Sequence, residues 1–372
     1  MLLLVLGLML GADHPSTAPS PLKSAPVFQG GQEGFAVYRI PALIVTADGS
    51  LLAFAEGRAK GSDHAQNKLV LKRSTNAGES WGSLQVVAED GMNCLNNPCA
   101  ISLPGRRVLV AYQWFPASLD EHGVRDGVSG DMTCLTFLTR SSDDGATWSK
   151  PLDITAQVKR PAGVTSMCCG PGIGIQLTRG PHKGRLLLPF NQGPYGKWEV
   201  YAAWSDDAGQ TWKYGDVAPG GAVHRPNEVQ FVELSDGRVM LNARGMAGAH
   251  FRKTAVSADG GQTWSDLADD PNLPEPRCMA SILRVSFPTR DSSGLILYSG
   301  PNSQSKRSAG TIRGSDDDGK SWKQTREIVP GGFGYSCLAV LSDGSVGCLY
   351  EGKASREISF VRFTVNWLNG AQ

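Results

Sequence analysis

The chain has almost no net charge. Its 36 Lys and Arg against 35 Asp and Glu leave +1 over 372 residues, so bulk charge gives no case for a nucleic-acid partner or an anionic membrane surface. Any strong positive field must come from local clustering of arginine. Histidine is scarce, at six scattered residues, and none of the eight cysteines forms a Cys-x-x-Cys pair. The spacing that a zinc site requires is therefore missing, and no metal or organic cofactor is implied. No run reaches the roughly 20 apolar residues that cross a bilayer as a helix, so no stable membrane span is expected. Helical periodicity is nearly absent. No linker or low-complexity break interrupts the chain beyond the Ser/Pro-rich stretch His14–Pro26.

The segment Met1–Ala12 is almost wholly apolar. It resembles the apolar part of a secretory signal, although the positively charged leader is missing. The bland alternative is an apolar strand packed on the folded domain. We expect export, giving a secreted or periplasmic protein, with residues 1–25 as leader and 26–372 as one catalytic domain. An even number of cysteines permits disulfides in such a protein, but a chain of this size does not need them. Cys337 and Cys348 sit in apolar strands and read as buried free thiols.

What the chain has in quantity is glycine, with 45 residues, and 22 prolines, as a fold with many tight turns requires. Five copies of Ser-x-Asp-x-Gly-x-(Thr/Ser)-Trp run through it: Ser141–Trp148, Ser205–Trp212, Ser257–Trp264, Ser315–Trp322 and an imperfect Ser74–Trp81, where Asn76 replaces the acid. Their starts lie 67, 64, 52 and 58 residues apart, a period that means repeated supersecondary units. Each copy follows a strand-like run and reads as a turn. Ser and Asp side chains bond nearby backbone N–H groups, Gly supplies a backbone angle denied to other residues, and Trp pins the turn to a sheet.

A second repeat runs out of phase with the first, a turn followed by an apolar strand. Its copies are Asp48–Arg58, Gly105–Trp114, Lys183–Gly193, Asp236–Gly245, Ser293–Pro301 and Asp343–Glu351. Six such units of short strands predict an all-β fold, a six-bladed β-propeller. The last unit lacks the Trp turn but ends in the strand Glu357–Val365. That strand is expected to complete a blade with the N-terminal segment around Pro26–Val37, closing the ring and removing its edges.

Charged residues break the apolar pattern at telling places. Tyr38-Arg39-Ile40-Pro41 opens the first blade, Arg58 and Arg244 end repeat strands, and Glu351 ends the last. Matched strand ends of a propeller share one face around the axis, so Arg58, Arg244 and Glu351 are expected to converge. Clustered arginines repel unless an anion holds them. Arg pairs with a carboxylate through two parallel hydrogen bonds, so the cluster points to a carboxylate or phosphate ligand.

Tyr38-Arg39-Ile40-Pro41 together with the Trp turns resembles the sialidase (neuraminidase) family, whose turns of this kind are termed Asp-boxes. The resemblance runs from about Phe35 to Leu368 and is nearest to secreted bacterial members, with animal features such as Asn97-Pro98-Cys99. It implies that Arg39, Arg244 and Arg307 bind the substrate carboxylate and that Arg58 is an auxiliary arginine contacting other sugar oxygens. Arg313 competes with Arg307, but it immediately precedes a Trp turn and reads as a strand residue. The resemblance further implies Asp63 as acid/base, Tyr335 as nucleophile, Glu228 as its partner and Glu351 as the carboxylate holding Arg39. Asn97 and Tyr195 sit in loops that could line the N-acetyl and glycerol pockets, or could be ordinary loop residues.

A tyrosine nucleophile suits this chemistry. Sialic acid bears a carboxylate on its anomeric carbon, which would repel an anionic nucleophile, whereas a phenol is neutral until it attacks; sialidases are the known exception among retaining glycosidases. The implied activity is exo-α-sialidase hydrolysis of terminal α-linked sialic acids on glycoproteins, glycolipids and oligosaccharides, with the arginine field also favouring the Tyr335 phenolate. Three alternatives stand beside it: transfer of the sialyl group to a sugar hydroxyl or an internal one, preference for the deaminated sugar, and a catalytically silent glycan-binding propeller.

Overall fold

The computed structural model describes residues 22–352 and 356–370. The apolar segment Met1–Ala12, read as an export signal, lies outside the described residues. Among those described, the strands form six sheets, each built on four strands, with one extra short strand in each of two. The first blade is Val37–Val45, Leu51–Arg58, Lys68–Ser74 and Gln85–Ala88. The next four begin at Cys94, Met167, Pro226 and Ser281, and the sixth at Ser336. First strands of neighbouring blades pack on one another around the axis, so the fold is the six-bladed propeller expected from the repeats.

The second strand of each blade is one of the predicted apolar repeats. Leu51–Arg58 is buried at every position, because neighbouring blades cover both faces of its sheet. That is why these strands read as continuous apolar runs, without the alternation of a half-exposed strand. The core is a set of interblade layers. One cluster joins Phe54 and Leu71 to Val110 of the next blade and to Leu349 and Phe360 of the last.

The Trp turns connect the third and fourth strands of blades one to five. In the Ser141–Trp148 copy, Ser141 Oγ–H donates to Asp143 Oδ1 (2.7 Å), Gly145 N–H to Ser141 Oγ (2.8 Å) and Thr147 N–H to Asp143 Oδ1 (2.9 Å). Asn76 reproduces the pattern in the imperfect copy, accepting from Ser80 N–H at 3.0 Å. All five turn glycines have positive φ, from 81° to 90°, a region costly for other residues. Space forbids a side chain as well. A Cβ on Gly145 would lie 2.6 Å from Leu52 of the preceding blade, and one on Gly209 would lie 2.5 Å from Leu109. The turns therefore clasp the blade before them, where the sequence suggested only the sheet beneath.

The ring closes between the chain's two ends. Glu357–Phe363 pairs antiparallel with Ser24–Gln29, so the sixth blade takes its outer strand from the N-terminal side. Val37, grouped by sequence with that segment, belongs instead to the first strand of blade one. Ser24 and Ala25, placed by sequence in the leader, pair with Val361 and Phe360. Phe28 on the closing strand is fully buried and packs on Tyr38 of blade one, with ring centroids 5.2 Å apart. All eight cysteines are buried and free.

Phe28→Ala is expected to cost about 3–5 kcal/mol, as for a large aromatic removed from a packed core. Denaturant unfolding measures it, and a cost below about 1 kcal/mol would show that closure is held elsewhere.

Candidate active site

One cavity of about 470 Å³ opens on the axis and is lined by Arg39, Arg58, Asp63, Asn97, Tyr195, Glu228, Arg244, Arg307 and Tyr335. The structure thus brings together residues from blades one to six, and Glu351 sits directly behind Arg39. Second strands deliver their ends to this cavity, but the matched positions differ from the sequence expectation. Leu51, Val108 and Val239 each face the turn serine of their own blade. Counting five residues on from each gives Glu56, Gln113 and Arg244; in blade six, five on from Val346, it gives Glu351. The counterpart of Arg244 and Glu351 is therefore Glu56. Arg58 stands two residues further along the strand and still reaches the cavity.

Tyr335 lies at the centre. Its hydroxyl donates to Glu228, 2.5 Å from Oε1 and 2.7 Å from Oε2, and accepts from Arg244 Nη1 at 2.8 Å. Arg244 Nη1 also donates to Glu228 Oε2 at 2.7 Å. The guanidinium groups of Arg39 and Arg307 stand 5.3 and 5.2 Å from the Tyr335 ring centre. Burial pushes the Tyr335 hydroxyl well above its usual range. Arg244, Arg307 and Arg39 pull the other way, Glu228 adds to the rise, and burial prevails. As expected, the arginine field favours the phenolate, but burial outweighs it, and the Tyr335 hydroxyl donates to Glu228.

Three of the four arginines have a carboxylate partner. Arg39 Nε donates to Glu351 Oε1 at 2.6 Å, and the same oxygen accepts Ile40 N–H at 2.9 Å. Arg58 bonds Glu56 and, through Nη1, Asp63 Oδ1 at 2.6 Å. Arg244 holds Glu228. Arg307 has no carboxylate within ion-pair reach among the described residues and donates to the Arg277 carbonyl at 2.9 Å. It is the arginine whose charge most needs an incoming anion. Arg313 lies elsewhere, donating to Asn302 Oδ1 and Thr325 Oγ1.

The Asp63 side chain is 71% exposed at the mouth. Desolvation by the surrounding loop pushes its carboxyl up, but Arg58, with Arg39 and His64, outweighs this and holds it below the ordinary range. Asn97 donates its amide to the Cys169 carbonyl at 3.2 Å. Tyr195 is half-exposed at the rim, with His122 3.8 Å away ring to ring and Trp198 edge-on. Among the described residues no group of three His, Cys, Asp or Glu is arranged for a metal.

Sequence reasoning missed Glu56, fully buried within Leu51–Arg58, and Glu121 in the long loop after Phe115. Glu121 lines the cavity, and burial followed by the charges of Glu228 and Asp63 pushes its carboxyl up to about 7. The length of its loop was the available signal, since long structureless loops in compact folds are usually functional.

The chain matches the BNR repeat-like domain over residues 49–348. It is 36% identical to a sialidase of Micromonospora viridifaciens over 371 residues, covering 95% of this chain and 56% of that protein. It is 30% identical to an exo-alpha-sialidase of Aspergillus fumigatus, covering 91% and 86%. The fold superposes on the solved structure of the Hadza microbial sialidase Hz136 with a TM-score of 0.83 at 27% identity, covering 92% of this chain and 69% of that one. The chain thus spans little more than half the length of the Micromonospora protein.

Two expectations concern a small anionic sugar acid such as N-acetylneuraminic acid, read by calorimetry. Arg307→Ala should weaken its binding about tenfold or more, the scale of a lost charge-assisted pair, and Arg313→Ala should leave it within about twofold, as for a surface charge; the reverse order would move the site. Glu121 gains a negative charge as pH rises through about 7, so binding should weaken several-fold across that range. Glu121→Gln should flatten the profile, and an unchanged profile would remove Glu121 from it.

Proposed function

This chain belongs to the sialidase family, and from that premise we propose that it is a retaining exo-α-sialidase, releasing terminal α-linked sialic acids from glycoproteins, glycolipids and oligosaccharides. The observation that carries the reading is the Tyr335–Glu228–Arg244 cluster, a buried phenol aimed at a carboxylate beneath two further arginines. A glycan-binding protein has no need to keep a phenol beside a base.

In the proposed reaction the substrate carboxylate sits on Arg39, Arg244 and Arg307, and Arg58 contacts other sugar oxygens. Tyr335 Oη attacks the anomeric carbon while Glu228 takes the phenol proton, as a base activates a weak nucleophile. Asp63 gives its proton to the departing glycosidic oxygen. In the second step Asp63 takes a proton from water, the water oxygen bonds to the anomeric carbon, and the Tyr335 oxygen leaves with its proton restored from Glu228. Two inversions give net retention. Arg58 and Arg39 keep Asp63 ionised in the free protein. An arriving substrate carboxylate draws on Arg39 and adds negative charge, and both raise the affinity of Asp63 for a proton. The acid is thereby armed by the substrate.

Asn97 and Tyr195 are proposed to line the pockets for the remaining sugar substituents, a placement that their position on the cavity wall supports. Export to a secreted or periplasmic location is proposed from the apolar segment Met1–Ala12.

Incubation with sialyllactose isomers, followed by NMR and mass analysis, tests the activity. The first-formed product should be the free α-anomer of sialic acid, and initial β-product would contradict a double displacement. Sialyl transfer to an acceptor, release only from deaminated substrates, or binding without turnover would each point to one of the alternatives. Tyr335→Phe should retain the fold and lose most turnover of an aryl sialoside; a near wild-type rate would remove Tyr335 as nucleophile.

A further inference from the structure

Glu56 is buried to 0% exposure, behind the cavity wall. Its bonding copies that of Glu351 one blade away. Glu351 Oε1 accepts Arg39 Nε at 2.6 Å and the N–H of Ile40 at 2.9 Å. Glu56 accepts Arg58 Nε at 2.8 Å and the N–H of Asn97 at 2.7 Å. Ile40 and Asn97 both have left-handed backbone, with φ of 62° and 54°. Both stand where the first strand of the following blade slips register, between Arg39 and Ala42 and between Asn96 and Cys99. Gln113, at the same strand position in blade two, accepts Cys169 N–H on blade three at 2.5 Å. An uncharged acceptor thus suffices to bridge blades, and a carboxylate stands only where an arginine must also be held.

The loop carrying Asp63 has few bonds of its own; apart from Arg39 Nη1, 3.9 Å from Asp63 Oδ1, the groups that fix Asp63 lead back to Glu56. Arg58 Nη1 donates to Asp63 Oδ1 at 2.6 Å and to the Ser62 carbonyl at 3.3 Å. The Asp63 carbonyl accepts from Asn67 Nδ2 at 2.6 Å and Asn96 Nδ2 at 3.0 Å. Asn67 Nδ2 also reaches Glu56 Oε2 at 3.3 Å, and Asn96 adjoins Asn97, whose N–H Glu56 holds. Burial disfavours the charge on Glu56, and Arg58 with the Asn97 N–H opposes that. A buried carboxylate satisfied this way is rigid, because every displacement strands a charge.

We propose that Glu56 is the positioning residue for Asp63, holding Arg58, Asn67 and the Asn97 turn in the one arrangement that presents the Asp63 carboxyl to a leaving group. The role rests on the sialidase reading above. A positioner of the acid has a signature that general destabilisation lacks. Proton donation matters greatly for a sugar leaving group of high pKa and little for an activated phenol, since general acid catalysis contributes about 10²–10⁴-fold where it is needed.

The experiment compares wild type with Glu56→Gln on sialyllactose and on an aryl sialoside with a nitrophenyl leaving group. The expected result is a fall in kcat on sialyllactose of about 100-fold, exceeding the fall on the aryl substrate by about tenfold or more, with KM for the aryl substrate little changed. Equal losses on both substrates, or no loss, would overturn the role. Should Glu56→Gln not fold, as judged by circular dichroism, Asn67→Ala carries the same test, because it removes one donor shared by Glu56 and the Asp63 carbonyl. Wild type inert toward both substrates would overturn the sialidase reading, and the role with it. Wild type active, with a variant showing no leaving-group dependence, would overturn the role alone.

Discussion

Four guanidinium groups face one small cavity, and their mutual repulsion is what the surrounding structure has to answer. A pair of like charges ~6 Å apart costs about 3 kcal/mol at an effective dielectric constant of 20. Asp63 and Glu228 answer part of it from within the cavity, and the rest of the counter-charge is placed behind the wall. Glu351 and Glu56 have fully buried side chains, and Glu275, almost as buried, lies beside Arg252 and accepts the N–H groups of Gly245 and Cys278. Burying such carboxylates is costly unless each is fully bonded. Hence each also takes backbone N–H groups from a neighbouring strand or connection, and the electrostatics of the site become inseparable from the joints between blades.

That coupling explains why the cavity can be polar without being soft. Arg39 is fixed by the blade that closes the ring, Tyr335 by the strand that starts at the next residue and by its own N–H, which donates to Glu351 Oε2 at 3.3 Å, and Glu228 by the first strand of blade four. None of these depends on a long flexible loop. Asp63, Glu121 and Arg307 lie on irregular segments; in the proposed reaction Asp63 has to gain a proton, and Glu121 changes charge near neutrality.

Much of this was legible in the residues. The Trp turns mark five third-to-fourth strand connections, and the apolar repeats are the six second strands. The arginines stand out because they interrupt apolar runs, and the motif beginning at Tyr38 locates the first of them. Glu56 was hidden for the opposite reason. It lies in a strand that also holds Arg58, and only the pairing register shows which of the two matches Glu351. Glu121 lacks any periodic context, and its importance comes from sharing the cavity with the charges of Glu228 and Asp63, which one-dimensional pattern does not encode. The clasp of each Trp turn on the preceding blade was likewise invisible, since Gly145 and Leu52 are joined by geometry alone.

The closing strand has a consequence for how the protein comes into being. Ser24 is made long before Val361, with which it pairs, a contact of nearly the largest sequence separation among the described residues. Non-local pairings of this kind form late. Until synthesis reaches blade six, Arg39 lacks Glu351, Tyr335 is absent, and the strand Ser24–Gln29 has an unsatisfied edge. In the enzyme proposed above, the site is therefore complete only once the last strand has joined the first.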